Sequence, residues 1–166
     1  MKISKIAVSL IAAGVMASPL AHATNGYFSH GYGIKSKGMA GVGIALAQDS
    51  LAAATNPAGM VMVGDRIDLG LDLFKPNRGS DIAGNVCGLG CSLDGTYSGN
   101  DTSIFFIPEF GYNKMMNPDM SLGISVYGNG GMNTDYASSP FTAFGGTSPA
   151  GVNLSQLFIA PTWSMK

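Results

Sequence analysis

Two runs of the chain alternate with a strict period of two. In "RIDLGLDLF", Arg66–Phe74, the apolar residues Ile67, Leu69, Leu71 and Leu73 fall on one face and Asp68, Gly70 and Asp72 on the other. "MSLGISVYG", Met120–Gly128, sets Met120, Leu122, Ile124 and Val126 against Ser121, Gly123 and Ser125. This pattern predicts β-strands with one apolar face. "TSIFFIPEFGY", Thr102–Tyr112, and "LSQLFIAPTWSMK", Leu154–Lys166, alternate less cleanly. Proline cannot donate to a ladder, so Pro108 and Pro161 are expected at bulges or strand ends.

Upstream of Arg66 the alternation is absent. "GMAGVGIALA", Gly38–Ala47, is apolar but only ten residues long, too short to cross a bilayer as a helix. Asp49 or Ser50 can cap a short helix over Leu51–Thr55. Asn56 precedes Pro57, which disfavours helical geometry and predicts the end of that helix. Residues 24–64 therefore read as short helices and turns.

The connections between the expected strands run long, short, long. A polar, Gly-rich stretch separates Phe74 from Thr102, "NKMMNPD" joins Tyr112 to Met120, and a Gly/Ser-rich stretch links Gly128 to Leu154. Outer-membrane barrels have this asymmetry, with long loops outside and short periplasmic turns. A soluble exported β-sandwich has the same alternation. Composition favours the barrel: charged residues are 11%, against about 25% in soluble domains. With Ile67 and Leu122 facing lipid, Phe74, Phe105, Ile107 and Tyr127 point inward. Such residues suit contact with a plug or an apolar ligand. Tyr112 and Trp163 fall near periplasmic strand ends, as an aromatic girdle requires. Four strands cannot close a barrel, so further strands are expected beyond these.

The first residues change the charge count and the compartment. Lys2 and Lys5, the apolar run Ile6–Leu20 and the "AHA" at Ala21–Ala23 make a secretory signal with a cleavage site. Its removal takes two of nine basic residues and none of ten acidic ones, leaving a net charge near −3. No basic patch argues for nucleic acid. In an oxidising compartment Cys87 and Cys91, in "CGLGC", are expected to form a small disulfide loop. No second Cys or His pair lies near them to complete a metal site. No cofactor is expected. An enzyme is the least supported class: Asp68 and Asp72 share a face but lie roughly 13 Å apart along a strand. They read instead as lumen residues.

"NGYFSHGYGIKSKGMAGVGIALAQDSLAAATNPAGM", Asn25–Met60, resembles the N-terminal hatch of FadL/TodX-type outer-membrane transporters of long-chain fatty acids and aromatic hydrocarbons. Gly31 and Gly33, "KGMAGVGIALAQD" and "NPAGM" carry the likeness. "IPEFGYNKMMNPDMSLGISVYGNGGMNTDY", Ile107–Tyr136, and "IAPTWSMK" extend it. The resemblance implies a fourteen-stranded barrel plugged by the hatch, with Asn56, Pro57, Ala58 and Gly59 in hatch gating. It also implies lateral release of the ligand through a gap at an inward kink of the third strand, here Met120–Gly128, where Gly123 could relax the backbone.

The expected organisation is a signal peptide over 1–23, a hatch over 24–64 and the first, incomplete set of about four antiparallel barrel strands over 65–166. The expected function is passive uptake of long-chain fatty acids or other hydrophobic compounds, in contact with outer-membrane lipid. The alternative is a structural or adhesive outer-membrane protein acting through its loops.

Overall fold

The computed structural model describes residues 27–85 and 92–166. The expected signal and the Cys87/Cys91 pair lie outside the described residues. What is described is mostly β-sheet. Four strands form one antiparallel sheet in the order β1 (Arg66–Phe74), β4 (Phe105–Asn117), β5 (Met120–Tyr136), β6 (Ala150–Met165). β2 (Gly79–Ile82) and β3 (Gly95–Ser98) make a separate hairpin between β1 and β4.

Alternation sets the faces. On β1 the leucines and Ile67 are each at least 59% exposed. The register carries the apolar row across the sheet: Ile67 opposes Tyr112, Tyr112 opposes Ile124, and Ile124 opposes Pro161. The opposite, inner face presents Asp68, Asp72, Glu109, Gly111, Asn113, Ser121 and Ser125. Residues 27–64 lie against that inner face. Their apolar contributions, Leu51, Ala53, Met60 and Val61, are buried there.

Several expected boundaries move. β4 starts at Phe105, not Thr102, and runs through Pro108 to Asn117. Pro108 is mid-strand rather than at a bulge or end. It is tolerated because β4 pairs only with β1 at that level; its ladder with β5 begins at the Phe110–Val126 pair. Pro161 sits inside β6, an edge strand among the described residues. β5 continues past Gly128 to Tyr136, and its partner β6 begins at Ala150. The Gly/Asn-rich stretch after Tyr127 is held by backbone pairing, so its side chains give no alternation to read. The β4–β5 turn shrinks to Pro118–Asp119.

The single helix expected over Leu51–Thr55 is instead two tight 3₁₀ turns, Ala52–Ala54 and Pro57–Met62. Asp49 Oδ1 accepts from the Leu51 N–H at 3.0 Å just ahead of the first, which has no side-chain cap. Asn56 Oδ1 accepts from the Ala58 N–H at 3.2 Å, capping the second, with Pro57 in its first turn. Asn56-Pro57 thus ends one turn and starts the next. A five-residue helix, α1 (Ile34–Gly38), precedes both.

The segment approaches the sheet closely because the inner face is built from small residues. A Cβ on Gly111 would fall 2.9 Å from the Ser50 carbonyl carbon, and one on Gly123 would fall 2.8 Å from Met60 Cε. Gly123 therefore makes room for Met60. It does not mark a departure of the strand, since Asn113, Gly123 and Thr162 stay in register. Gly111→Val should destabilise the protein by about 1–3 kcal/mol through overpacking against backbone. Gly38→Ala, where a Cβ meets nothing within 4 Å, should not lower the urea midpoint; equal midpoints for Gly111→Val and wild type would overturn this packing account.

Candidate functional site

β4 and β5 part company above the Phe110–Val126 pair. β4 continues with β1, and β5 continues with β6 through a bulge between Gly128 and Gly130. The N-terminal segment takes the position that β4 leaves. Phe28 bridges Gly130, the Gly131 N–H donates to Tyr27 O at 2.8 Å, and Tyr32 Oη donates to Asn129 Oδ1 at 2.8 Å.

A cleft of about 490 Å³ opens where the strands part. Its apolar wall includes Phe28, Phe74, Phe105, Ile107, Met132 and Leu154. Phe106, Pro108 and Leu157 also line it. Pro108 and Phe106 oppose Leu71 and Leu73 on the outer row, so the cleft reaches the outer face through the gap. Lys37 and Asp72 complete the wall on the side of the segment.

Of the four expected ligand contacts, Phe74, Phe105 and Ile107 line this cleft. Phe74 and Phe105 are a cross-strand pair with ring centres 6.2 Å apart. Tyr127 does not line it. It faces inward as expected, but it is buried beneath Tyr32, with ring centres 4.9 Å apart, and against Phe158 at 5.9 Å. Parity fixed its face, while the segment, distant in sequence, covered it.

The residues expected in gating lie at the other end of the sheet. Ser164 Oγ donates to the Pro57 carbonyl, Asn56 Nδ2 donates to Ile44 O at 2.7 Å, and a Cβ on Gly59 would fall 2.8 Å from that of Ala47. Ala58 contributes the capped N–H. From the Arg66–Asn113 pair to the Phe74–Phe105 pair is eight residue steps, or roughly 26 Å. These four residues and the cleft are therefore separate places.

Polar anchors hold the segment between those places. Glu109, 2% exposed, accepts from Lys37 Nζ at 2.6 Å and from the Gly33 N–H at 3.3 Å. Lys37 Nζ also lies 3.0 Å from Asp72. Asp68 accepts from the Ser50 N–H at 2.9 Å and from Ser50 Oγ at 2.6 Å, while Arg66 grips it on both oxygens. Asn113 Nδ2 donates to Met60 O and Gly64 O, both at 2.9 Å, and Ser125 Oγ donates to Ser50 O at 2.6 Å. Asp68 and Asp72 were legible as inward residues. Glu109 was missed, although an acid at the inward parity of "IPEFGY" was a usable signal.

Burial pushes the Lys37 ammonium down, but its hydrogen bonds and attraction to Glu109 and Asp72 outweigh that and hold its pKa above the ordinary lysine value. Its contribution to stability is thus complete below pH 10.5, the ordinary value, and is lost as pH rises through the raised one. Among the described residues, no group of three or more His, Cys, Asp or Glu is placed to hold a metal. No protein-family model matches the chain, and no curated protein or solved structure matches it.

Lys37→Met should cost about 3–5 kcal/mol, because it strands a buried carboxylate. Lys37→Met combined with Glu109→Gln should recover much of that loss. A double-mutant cycle from urea midpoints checks this, and additive losses would sink the assignment of Glu109 as the group Lys37 serves.

Proposed function

We propose that this chain is the N-terminal part of a FadL/TodX-type outer-membrane transporter, with residues 24–64 as its plug. The proposed activity is passive uptake of long-chain fatty acids or other hydrophobic compounds, with lateral release into the membrane. The observation that carries this reading is the apolar cleft passing through the sheet where β4 leaves β5. A route through a barrel wall suits cargo that is more soluble in lipid than in water.

Three further features support it. The outer face carries a continuous apolar row from Ile67 through Tyr112 and Ile124 to Pro161, with Trp163 beyond it on the side of the β4–β5 turn. In water such a patch is a liability; in hydrocarbon it is the required surface. β1 has nine residues, close to the length a tilted strand needs to cross. The exposed edges of β1 and β6 need partners in lipid, which further strands of a barrel would supply. Affinity for cargo needs no covalent chemistry, since each buried methylene contributes about 0.8 kcal/mol.

Cells lacking the gene should take up at least one of labelled oleate and labelled toluene more slowly, and plasmid-borne protein should restore the rate. The protein should fractionate with the outer membrane. Uptake unchanged by deletion would remove the transport reading. If binding to a partner surface were instead lost on deleting the β5–β6 loop, the adhesive role would replace it.

A further inference from the structure

We infer that the cleft accepts neutral apolar or aromatic molecules and turns away carboxylates. This rests on the transport reading and narrows its cargo. The observation behind it is the charge on the wall that the N-terminal segment closes. Lys37 and Asp72 line that wall, and Glu109 is buried against Lys37. One ammonium therefore serves two carboxylates, 3.0 Å from Asp72 and 2.6 Å from Glu109, and the cluster has a formal charge of −1. Glu109 Oε2 is buried without a hydrogen-bond partner. The charge of Lys37 is thus already committed within the protein.

Among the described residues, Lys37 is the only Lys or Arg lining the cleft. Arg78 is near but differently employed. Its guanidinium stands 5.8 Å from the centre of the Phe105 ring. Four of its five N–H groups go to oxygens of Asn100, Asn133 and Thr102. His30 also lines the cleft and is exposed. A carboxylate entering would shed water among Phe28, Phe74, Phe105 and Leu154 and meet a net negative cluster. A neutral molecule has no such charge to desolvate and keeps the ring faces and methyl groups as partners.

The discriminating pair is naphthalene and 2-naphthoate, matched in ring system and different in charge. Equilibrium binding of both, radiolabelled, to the purified protein in amphipol is measured at pH 8. Protein-free amphipol corrects for partitioning. Naphthalene should bind at least tenfold more tightly. Asp72→Asn brings the cluster to zero formal charge and should shrink that ratio several-fold. Met132→Lys, which adds a cation at a half-exposed lining position, should shrink it independently if Asp72→Asn fails to fold. Equal or tighter binding of 2-naphthoate overturns this inference alone, as does a ratio that neither variant moves. Binding of neither molecule overturns the inference and the transport reading together.

Discussion

Glu109 is a carboxylate without access to water, on the face of a strand that the N-terminal segment covers. A buried charge of this kind is tolerated only when a cation and directed donors answer it. Lys37 supplies the cation and Gly33 a backbone N–H. Both are on or beside α1, so satisfying Glu109 fixes the position and rotation of that helix. Tyr32 is then placed to reach Asn129, and the backbone at Tyr27 to reach Gly131. Apolar contacts such as Met60 against Gly123 add attraction but little direction. The ion cluster and the Asp68–Ser50 and Asn113–Met60 hydrogen bonds specify where along the sheet the segment lies.

That arrangement sets the composition of the inner face. Backbone-to-backbone approach leaves no space for side chains at positions such as Gly111. Glycine weakens a strand by exposing and loosening its backbone, and here the loss is offset by burial of Leu51, Met60 and Val61. The two faces of the sheet thus answer to different neighbours. The inner face is small and polar because another part of the same chain lies on it, and the outer face carries the apolar row from Ile67 to Pro161.

The parts of this architecture legible in the sequence are those governed by neighbours two residues apart. β1 and the first half of β5 are announced by alternation, and inward parity correctly faces Phe74, Phe105, Ile107 and Tyr127 away from the leucine row. What escaped depends on distant pairings. The second half of β5 is Gly- and Asn-rich and is held by β6 through its backbone. Tyr127 is covered by Tyr32, and Glu109 is answered by a lysine 72 positions away, which no local pattern announces. The cleft is a gap between two strands, and a gap has no sequence of its own. Asn56-Pro57 shows the limit of local rules in another way: the rule that it stops a helix was met, and the same pair also starts the next turn.

The gap and the segment are linked by hydrogen-bond bookkeeping. Beyond the Phe110–Val126 pair, β5 has lost β4 as a partner, yet backbone donors near an apolar cleft still require acceptors. Tyr27 O serves Gly131, and Asn129 O accepts from the Ser29 N–H at 3.5 Å. If these contacts loosen, β5 must recover β4, which narrows the cleft, or leave polar backbone beside its apolar wall. The same segment is also held at Lys37, which reaches Glu109, 72 residues further along the chain, and Lys37 and Asp72 both line the cleft. A molecule in the cleft therefore touches the groups that keep the segment seated. The cleft wall and the seat of the segment thus share Lys37 and Asp72.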